Sequence, residues 1–185
     1  MTLRDALIAE LDVEAPFTRR TLERVPMDKR GWKPHEKSMT LGWLSTFLCV
    51  MWSWGVVAIE QDSFDPTARA DAGQRPSEAE TTADLLRLFD ENIARFRRAL
   101  ATTNDAHLET PWSLLAGGQV VFRQPRWLVL RGFILNHAVH HRAQLGVYLR
   151  LNGIAVPAIY NDSADERGGM FQVDGGPSLS GSSGA

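Results

Sequence analysis

Residues 86–100 read LRLFDENIARFRRAL and carry the clearest helical pattern in the chain. The large apolar residues recur at alternating steps of three and four, at Leu86, Phe89, Ile93, Phe96 and Leu100. On an α-helix with 3.6 residues per turn, this spacing places all five on one stripe. A stripe of this kind forms the seam of a helical bundle. The pattern therefore predicts an amphipathic helix that packs against other helices.

Three helix starts are predicted up to this point of the chain. Thr2 is a suitable N-cap for the first helix, which Pro16 is expected to kink or split because proline donates no backbone hydrogen bond. Ser38 is the expected N-cap of the second helix, and Ser77 with Glu80 can form a capping box for the third. The second helix carries large apolar residues on one face: Leu44, Phe47, Leu48 and Met51.

The region after residue 110 breaks the helical pattern. A short β-hairpin turning at Gly117-Gly118 is expected there, before Pro125 opens a fourth helix that ends at Asn152-Gly153. The expected fold is all-α, a four-helix bundle with one short hairpin before its last helix, formed by residues 1–167. Residues 168–185 are rich in glycine and serine and are expected to form a flexible tail.

The composition of the chain bears on what it can bind and in which compartment it is expected. The chain has 20 basic and 22 acidic residues, so it lacks the basic excess that nucleic-acid binding needs. Cys49 is the single cysteine, which excludes an intramolecular disulfide and suits the cytoplasm. The N-terminus is not expected to act as a signal peptide. Residues 39–59 are apolar and long enough to span a membrane, but a buried helix is preferred because no second span and no flanking basic cluster accompany them.

Histidines cluster on the predicted fourth helix. His137 and His141 are about one turn apart, so their imidazoles project from the same side of the helix. Two such imidazoles can bind one metal ion, as in helical zinc sites. Either ring can equally be a hydrogen-bonded core residue. His140 is expected to face outward or toward a partner subunit.

The sequence around these histidines resembles the DinB-like family. The fourth-helix signature is NHAVHHRAQLGVYLR at residues 136–150, and WKPHEKSMTLG at residues 32–42 is similar to the family's loop into helix two. Shorter similarities lie at residues 89–92, 112–114, 157–160 and 163–166. The resemblance implies a four-helix bundle, commonly a homodimer, in which three histidines bind a divalent metal such as zinc or nickel. Family members include thiol-dependent S-transferases and isomerases and proteins described as metal-dependent hydrolases.

One ligand implied by the resemblance is missing from this chain. Two of the family's three histidines match His137 and His141, but the third falls on Phe47 in helix two. Residues 39–59 contain no His, Asp or Glu. Cys49 lies about 200° around the helix axis from Phe47, so it is expected to point away from the site. It is also expected to be buried and inert. Catalytic zinc normally has three protein ligands. Binding of a divalent metal and its absence therefore both stay open.

Other polar residues are weaker candidates for a third ligand. His35, in the loop before helix two, is compatible with a capping role, and His107 is expected to be exposed. Four carboxylates on the predicted helices can approach the histidine pair, although surface salt bridges are expected for each: Glu10, Glu14, Asp90 and Glu91.

Three functions remain open from the sequence. In the preferred one, the bundle has lost its metal and binds a small molecule or a protein partner, with aromatic side chains closing the former metal cavity: Trp43, Phe47, Trp52 and Trp54. The alternative is a divalent-metal-dependent enzyme of the family type, a thiol S-transferase or hydrolase, in which His137 and His141 are ligands. The third is an obligate homodimer whose tryptophan-rich helix two forms the interface.

Overall fold

The computed structural model describes residues 1–68 and 77–170, which are mostly helical. The α-helices are α1 (Leu3–Leu22), α2 (Leu41–Val50), α3 (Trp52–Glu60), α4 (Thr82–Thr102), α5 (Asp105–Glu109), α6 (Arg126–Leu128) and α7 (Asn136–Leu151). A 3-10 turn (Met27–Lys29) follows α1, and a π-helix (Val129–Leu135) joins α6 to α7. The strands are β1 (Ser63–Phe64), β2 (Pro111–Ala116) and β3 (Gln119–Pro125). The expected mostly helical fold with a hairpin before its last helix is confirmed.

The amphipathic helix α4 lies at the centre of the helical packing. It contacts α1, α2 and α3, while α7 contacts α1 and α2. Phe89, Phe96 and Leu100 are almost fully buried, and Leu86 and Ile93 pack against the same core while remaining partly exposed. The stripe read from the sequence therefore does face the other helices.

The second helical segment is divided rather than continuous. It breaks at Met51, where the Trp54 amide donates to the Met51 carbonyl at 3.1 Å, three residues back instead of four. The hydroxyl of Ser53 donates to the Val50 carbonyl at 2.8 Å and competes with the regular backbone pattern. Together with the π-helix before α7, this break makes the fold more divided than four continuous helices.

Helix α1 is not split at Pro16, because Pro16 and Asp12, whose carbonyl loses its partner, both lie on the exposed side. Two predicted helix caps were wrong. Thr40, not Ser38, caps α2 by accepting from the Trp43 amide at 3.1 Å. Thr81 caps α4 in the same way, in place of the predicted box at Ser77 and Glu80. In both cases a threonine nearer the apolar run supplies the cap.

The hairpin turns where the glycines predicted it. Gly117 and Gly118 have φ angles of 58° and 77°, and two successive positive values define the turn that matches the twist of a hairpin. β2 and β3 are antiparallel, and β1 adds to β2 in parallel. The side chains of Asp65 and Thr67, which follow β1, accept hydrogen bonds from the two glycine amides at 2.7 and 2.8 Å. At the far end of the chain's helical part, Gly153 has a φ of 72° and ends α7 as expected.

A buried ion pair joins the first and last helices. The prediction that Glu14 forms a surface salt bridge was wrong, because Glu14 and Arg142 are both buried and their Oε2 and Nη1 atoms lie 2.6 Å apart. The Tyr160 hydroxyl donates to Glu14 Oε1 at 2.9 Å and accepts from Arg142 Nη2 at 2.7 Å. Arg142 also donates to the Thr18 hydroxyl at 3.3 Å. This network ties α1, α7 and the segment after α7 together.

Most of the predicted flexible tail lies outside the residues that the structure describes. Residues 171–185, most of the predicted tail, are not among the described residues. Ordered contacts continue a little past residue 167, since the Gly168 amide donates to Asp162 at 3.1 Å and the Met170 amide to the Ile159 carbonyl at 2.8 Å. The boundary at residue 167 stays a prediction.

One described stretch, Leu41–Glu60, is long and apolar enough to cross a membrane. In the structure 67% of its most apolar window is buried within the fold. That burial suits a core helix, as the sequence led us to prefer.

Candidate metal centre

The structure brings the two predicted histidines together. His137 and His141 lie one turn apart on α7, and their Nε2 atoms are 2.8 Å from each other. His141 is 6% exposed, whereas His137 is half-buried. The two nitrogens that would bind a metal ion are therefore hydrogen-bonded to each other.

The tautomers of the two rings are linked through their hydrogen bonds. His141 Nδ1 lies 2.7 Å from Gln144 Oε1, and with that oxygen as acceptor, Nδ1 carries the proton and Nε2 presents a lone pair. In that arrangement His137 Nε2 donates to the lone pair. His137 Nδ1 is buried without a hydrogen-bonding partner in the described structure. Gln144 was not predicted as a partner of His141, although three residues is a spacing at which helical side chains meet.

Burial favours the neutral form of both imidazoles. Burial lowers the pKa of His137, and the Phe133 carbonyl partly opposes this shift without reaching hydrogen-bonding geometry with Nδ1. Burial also lowers the pKa of His141, and the bond to Gln144 partly opposes it. Neutral imidazole is the form that binds metals, so protonation does not compete strongly near neutral pH.

Phe47 packs directly against the histidine pair. Its ring centroid lies 5.1 Å from that of His141 and 5.8 Å from that of His137, both at steep interplanar angles. Trp43 and Trp54 contact the other sides of the same phenyl ring at 5.8 and 5.4 Å. A side chain without a ligand atom therefore occupies the position from which helix two faces the imidazoles.

Neither the other histidines nor the cysteine is placed to join His137 and His141 in binding a metal ion. His140 is exposed as expected, although its ring contacts that of His141 at 5.0 Å. Exposed His35 accepts from the Lys37 amide in its own loop at 3.2 Å. The prediction that His107 is exposed was wrong, because α5 folds against the end of α3 and its half-buried ring lies 2.8 Å from the Ile59 carbonyl. Cys49 is buried and donates to the Leu85 carbonyl, and burial raises its pKa.

The remaining predicted carboxylates have arginine partners. Asp90 pairs with Arg19 on the surface at 3.0 Å, and Glu91 pairs with Arg87 at 3.1 Å, as expected. Glu10 lies 3.0 Å from Arg131 and is the least exposed of the three. Within residues 1–68 and 77–170, no group of three or more His, Cys, Asp and Glu side chains converges closely enough to hold a metal ion.

The residues present supply two of the three protein ligands of a catalytic zinc centre. Tetrahedral zinc with bonds of about 2.0–2.1 Å would hold two ligating nitrogens about 3.3 Å apart, so the histidine pair needs to open by only about 0.5 Å. Gln144 already orients His141 in the manner of an outer-shell partner. Within residues 1–68 and 77–170 no third protein ligand joins the pair, and Phe47 stands at the position that the family resemblance assigns to it. The donor set therefore does not fit a complete catalytic site.

Comparison with known proteins places the fold. Two solved structures resemble the chain. The DinB-like protein YjoA of Bacillus subtilis has 18% identity and a TM-score of 0.63, and the match covers 82% of this chain and 96% of that one. A DinB-like protein of Bacillus cereus ATCC 10987 has 17% identity and a TM-score of 0.64, and the match covers 84% of this chain and 97% of that one. At such identities the likeness shows the fold alone. No curated protein sequence matches significantly. The sequence model of the DinB family matches residues 35–168, more than half of the sequence, and this chain therefore belongs to the DinB family.

Proposed function

We propose that this protein is a DinB-family four-helix bundle whose histidine metal site has lost its third ligand, and that it acts as a module binding a small molecule. The four bundle helices are α1, the divided segment α2–α3, α4, and the last segment ending in α7. The observation that carries the proposal is the contact of the Phe47 ring with both imidazoles.

The energetics of the histidine pair support a site that is stable without metal. Each Nε2 has a partner in the other ring, and His141 is satisfied at both nitrogens. Among the polar atoms of the pair, only His137 Nδ1 is left without a partner in the described structure. An acceptor nitrogen that lacks one hydrogen bond costs on the order of 1–3 kcal/mol, far less than a buried unpaired charge.

The tryptophans of the α2–α3 segment favour ligand binding over a dimer interface as their role. Trp52 is fully buried and Trp43 is almost so, which means that the chain's own core uses them. Trp54 remains partly exposed and contacts Phe47 and Phe133. A homodimer stays part of the proposal on the strength of the family resemblance, without a tryptophan interface as its basis.

A metal-dependent enzyme, either a thiol S-transferase or a hydrolase, is the second candidate. One observation favours it: Gln144 holds the His141 ring with its Nε2 toward that of His137, and burial lowers the pKa of both rings. These features are those of preformed ligands. A third donor would then have to come from solvent, substrate or a second copy of the chain.

Metal analysis separates the two candidates. Protein expressed in zinc- and nickel-supplemented medium and purified without a chelator or a histidine tag should contain much less than one ion per chain by elemental mass spectrometry. Calorimetric titration with zinc or nickel should show weak binding or none. One tightly bound ion per chain that is lost in a His141→Gln variant would overturn the lost-ligand proposal and favour the enzyme.

A further inference from the structure

An apolar cavity of about 200 Å³ lies beside the histidine pair. It is partly open to solvent and is formed by α3, the edge of the small sheet and the π-helix. Its main walls are Trp54, Val57, Trp112, Leu114, Phe133 and Ile134. No polar atom of the lining residues is exposed to this space. The cavity is thus distinct in chemistry from the pair of imidazoles next to it.

A frame of aromatic rings keeps the cavity from collapsing. Trp54 and Phe133 stack with centroids 6.1 Å apart and an interplanar angle of 27°. Phe122 contacts Phe133 at 5.8 Å and Trp112 at 6.0 Å, so the rings from α3, the sheet and the π-helix support one another. Large planar side chains with few torsions hold a space open better than flexible aliphatic ones do. The space is a built feature of the fold and not a gap at one mobile side chain.

We propose that this cavity binds a small uncharged molecule of one or two rings, or an aliphatic group of similar volume. The inference rests on the proposed small-molecule function and names its ligand class and its place. An apolar cavity of about 150 Å³ in another protein stays dry and binds benzene, so the volume here suits a slightly larger ligand. A charged or strongly polar ligand is disfavoured, because it would lose its water without gaining a hydrogen bond.

Phe133 connects the cavity to the histidine pair. Its ring forms one wall of the cavity and lies 5.7 Å from the His137 ring. A ligand that moves Phe133 will therefore change the environment of His137. Binding should be visible both at the cavity wall and at the imidazole protons.

The test uses the full chain and toluene, with benzoate as the charged probe of similar size. Toluene should raise the melting temperature, and it should shift the methyl resonances of Ile134 while those of Ile8 and Ile154, which are not cavity residues, stay unchanged. Benzoate should do neither. A lack of response of Ile134 to toluene, or an equal response to benzoate, would overturn the proposal.

A matched pair of substitutions tests the location. Val57→Phe fills the cavity and should weaken toluene binding at least tenfold, whereas Val121→Phe adds the same atoms on the exposed face of β3 and should leave it unchanged. If Val57→Phe fails to fold, the Ile134 shifts in the wild type still decide. Equal loss of binding in both variants would overturn the proposal.

The outcome is separable from that of the proposed function. Toluene binding in a protein that also binds zinc tightly would keep the cavity site and remove the lost-ligand function. A protein that binds neither would keep the lost-ligand site and remove the cavity proposal. The toluene titration is decided at the Ile134 methyl groups and the zinc titration at the heat of metal binding, and both use the same protein preparation.

Discussion

Replacing Phe47 by histidine should make the protein less stable without metal and more stable with it. The phenyl ring contacts four aromatic side chains: Trp43, Trp54, His137 and His141. Each aromatic contact contributes about 0.5–1.5 kcal/mol beyond simple burial, but an imidazole keeps a ring in place and retains part of this. We therefore expect Phe47→His to lower the free energy of unfolding by about 1–3 kcal/mol in the absence of metal. For a chain of this size that corresponds to a fall in melting temperature of about 2–12 °C.

Added metal should reverse this loss. A third imidazole completes the ligand set with His137 and His141, and a free zinc concentration one hundred times the Kd stabilises the folded state by about 2.7 kcal/mol. Thermal melts of both proteins, with zinc and with a chelator, give the four values needed. Phe47→Leu is the control, since it removes the aromatic contacts without adding a ligand.

Two results would refute the reasoning. If the wild type is stabilised by zinc as strongly as the Phe47→His variant, Phe47 does not limit the site. If zinc fails to stabilise the variant although the variant folds, helix two does not aim residue 47 at the imidazoles closely enough for coordination. The double variant Phe47→His with His141→Gln should lose most of the zinc response, which ties any gain to this site.

Four further outcomes are expected. Glu14→Gln leaves Arg142 buried without its charge partner and should cost about 3–5 kcal/mol in urea unfolding, whereas the same change at exposed Glu91 should cost less than about 1 kcal/mol. Because burial lowers the pKa of both His137 and His141, the folded state resists their protonation. The stability that the two histidines contribute is therefore present above the ordinary pKa of 6.5 and is lost as pH falls through the lowered values. A melt series from pH 8 to 5 in which the His137→Gln and His141→Gln variants lose stability as steeply as the wild type would contradict this. Deleting residues 168–185 should leave the urea midpoint nearly unchanged, and a large drop would show that the tail docks. Light scattering at micromolar concentration should give a homodimer, and a monomer mass would count against it.

The sequence predicted the helices where the apolar spacing was unambiguous. Phe89, Phe96 and Leu100 of the stripe lie in the core, and Gly117-Gly118 and Gly153 mark the turns that need positive φ angles. Helix starts were predicted less well, because neighbouring Ser and Thr residues compete for each cap and spacing alone does not choose between Ser38 and Thr40. The π-helix was not predicted, because the last helix was read throughout at the α-helical period of 3.6 residues per turn, whereas a π-helix bonds residue i to residue i+5.

The candidate site was predictable only along one helix. The pairing of His137 with His141 follows from their spacing, and Gln144 could have been found by the same rule. The contact with Phe47 needed the family resemblance, because spacing within α7 says nothing about which residue another helix presents. The burial of Glu14 was missed for the same reason, since its partner lies on a helix more than one hundred residues away.

The buried ion pair has a consequence for the orientation of the histidine pair. Arg142 directly follows His141, and its bonds to Glu14, Thr18 and Tyr160 fix the face of α7 that is turned toward α1. The same packing that folds the chain therefore keeps the neighbouring imidazoles in place, independently of any bound ion. Under the proposed loss of the third ligand, the other two would then persist without a metal. A single substitution that places a donor on α2 would complete the ligand set, so the proposed loss would be reversible.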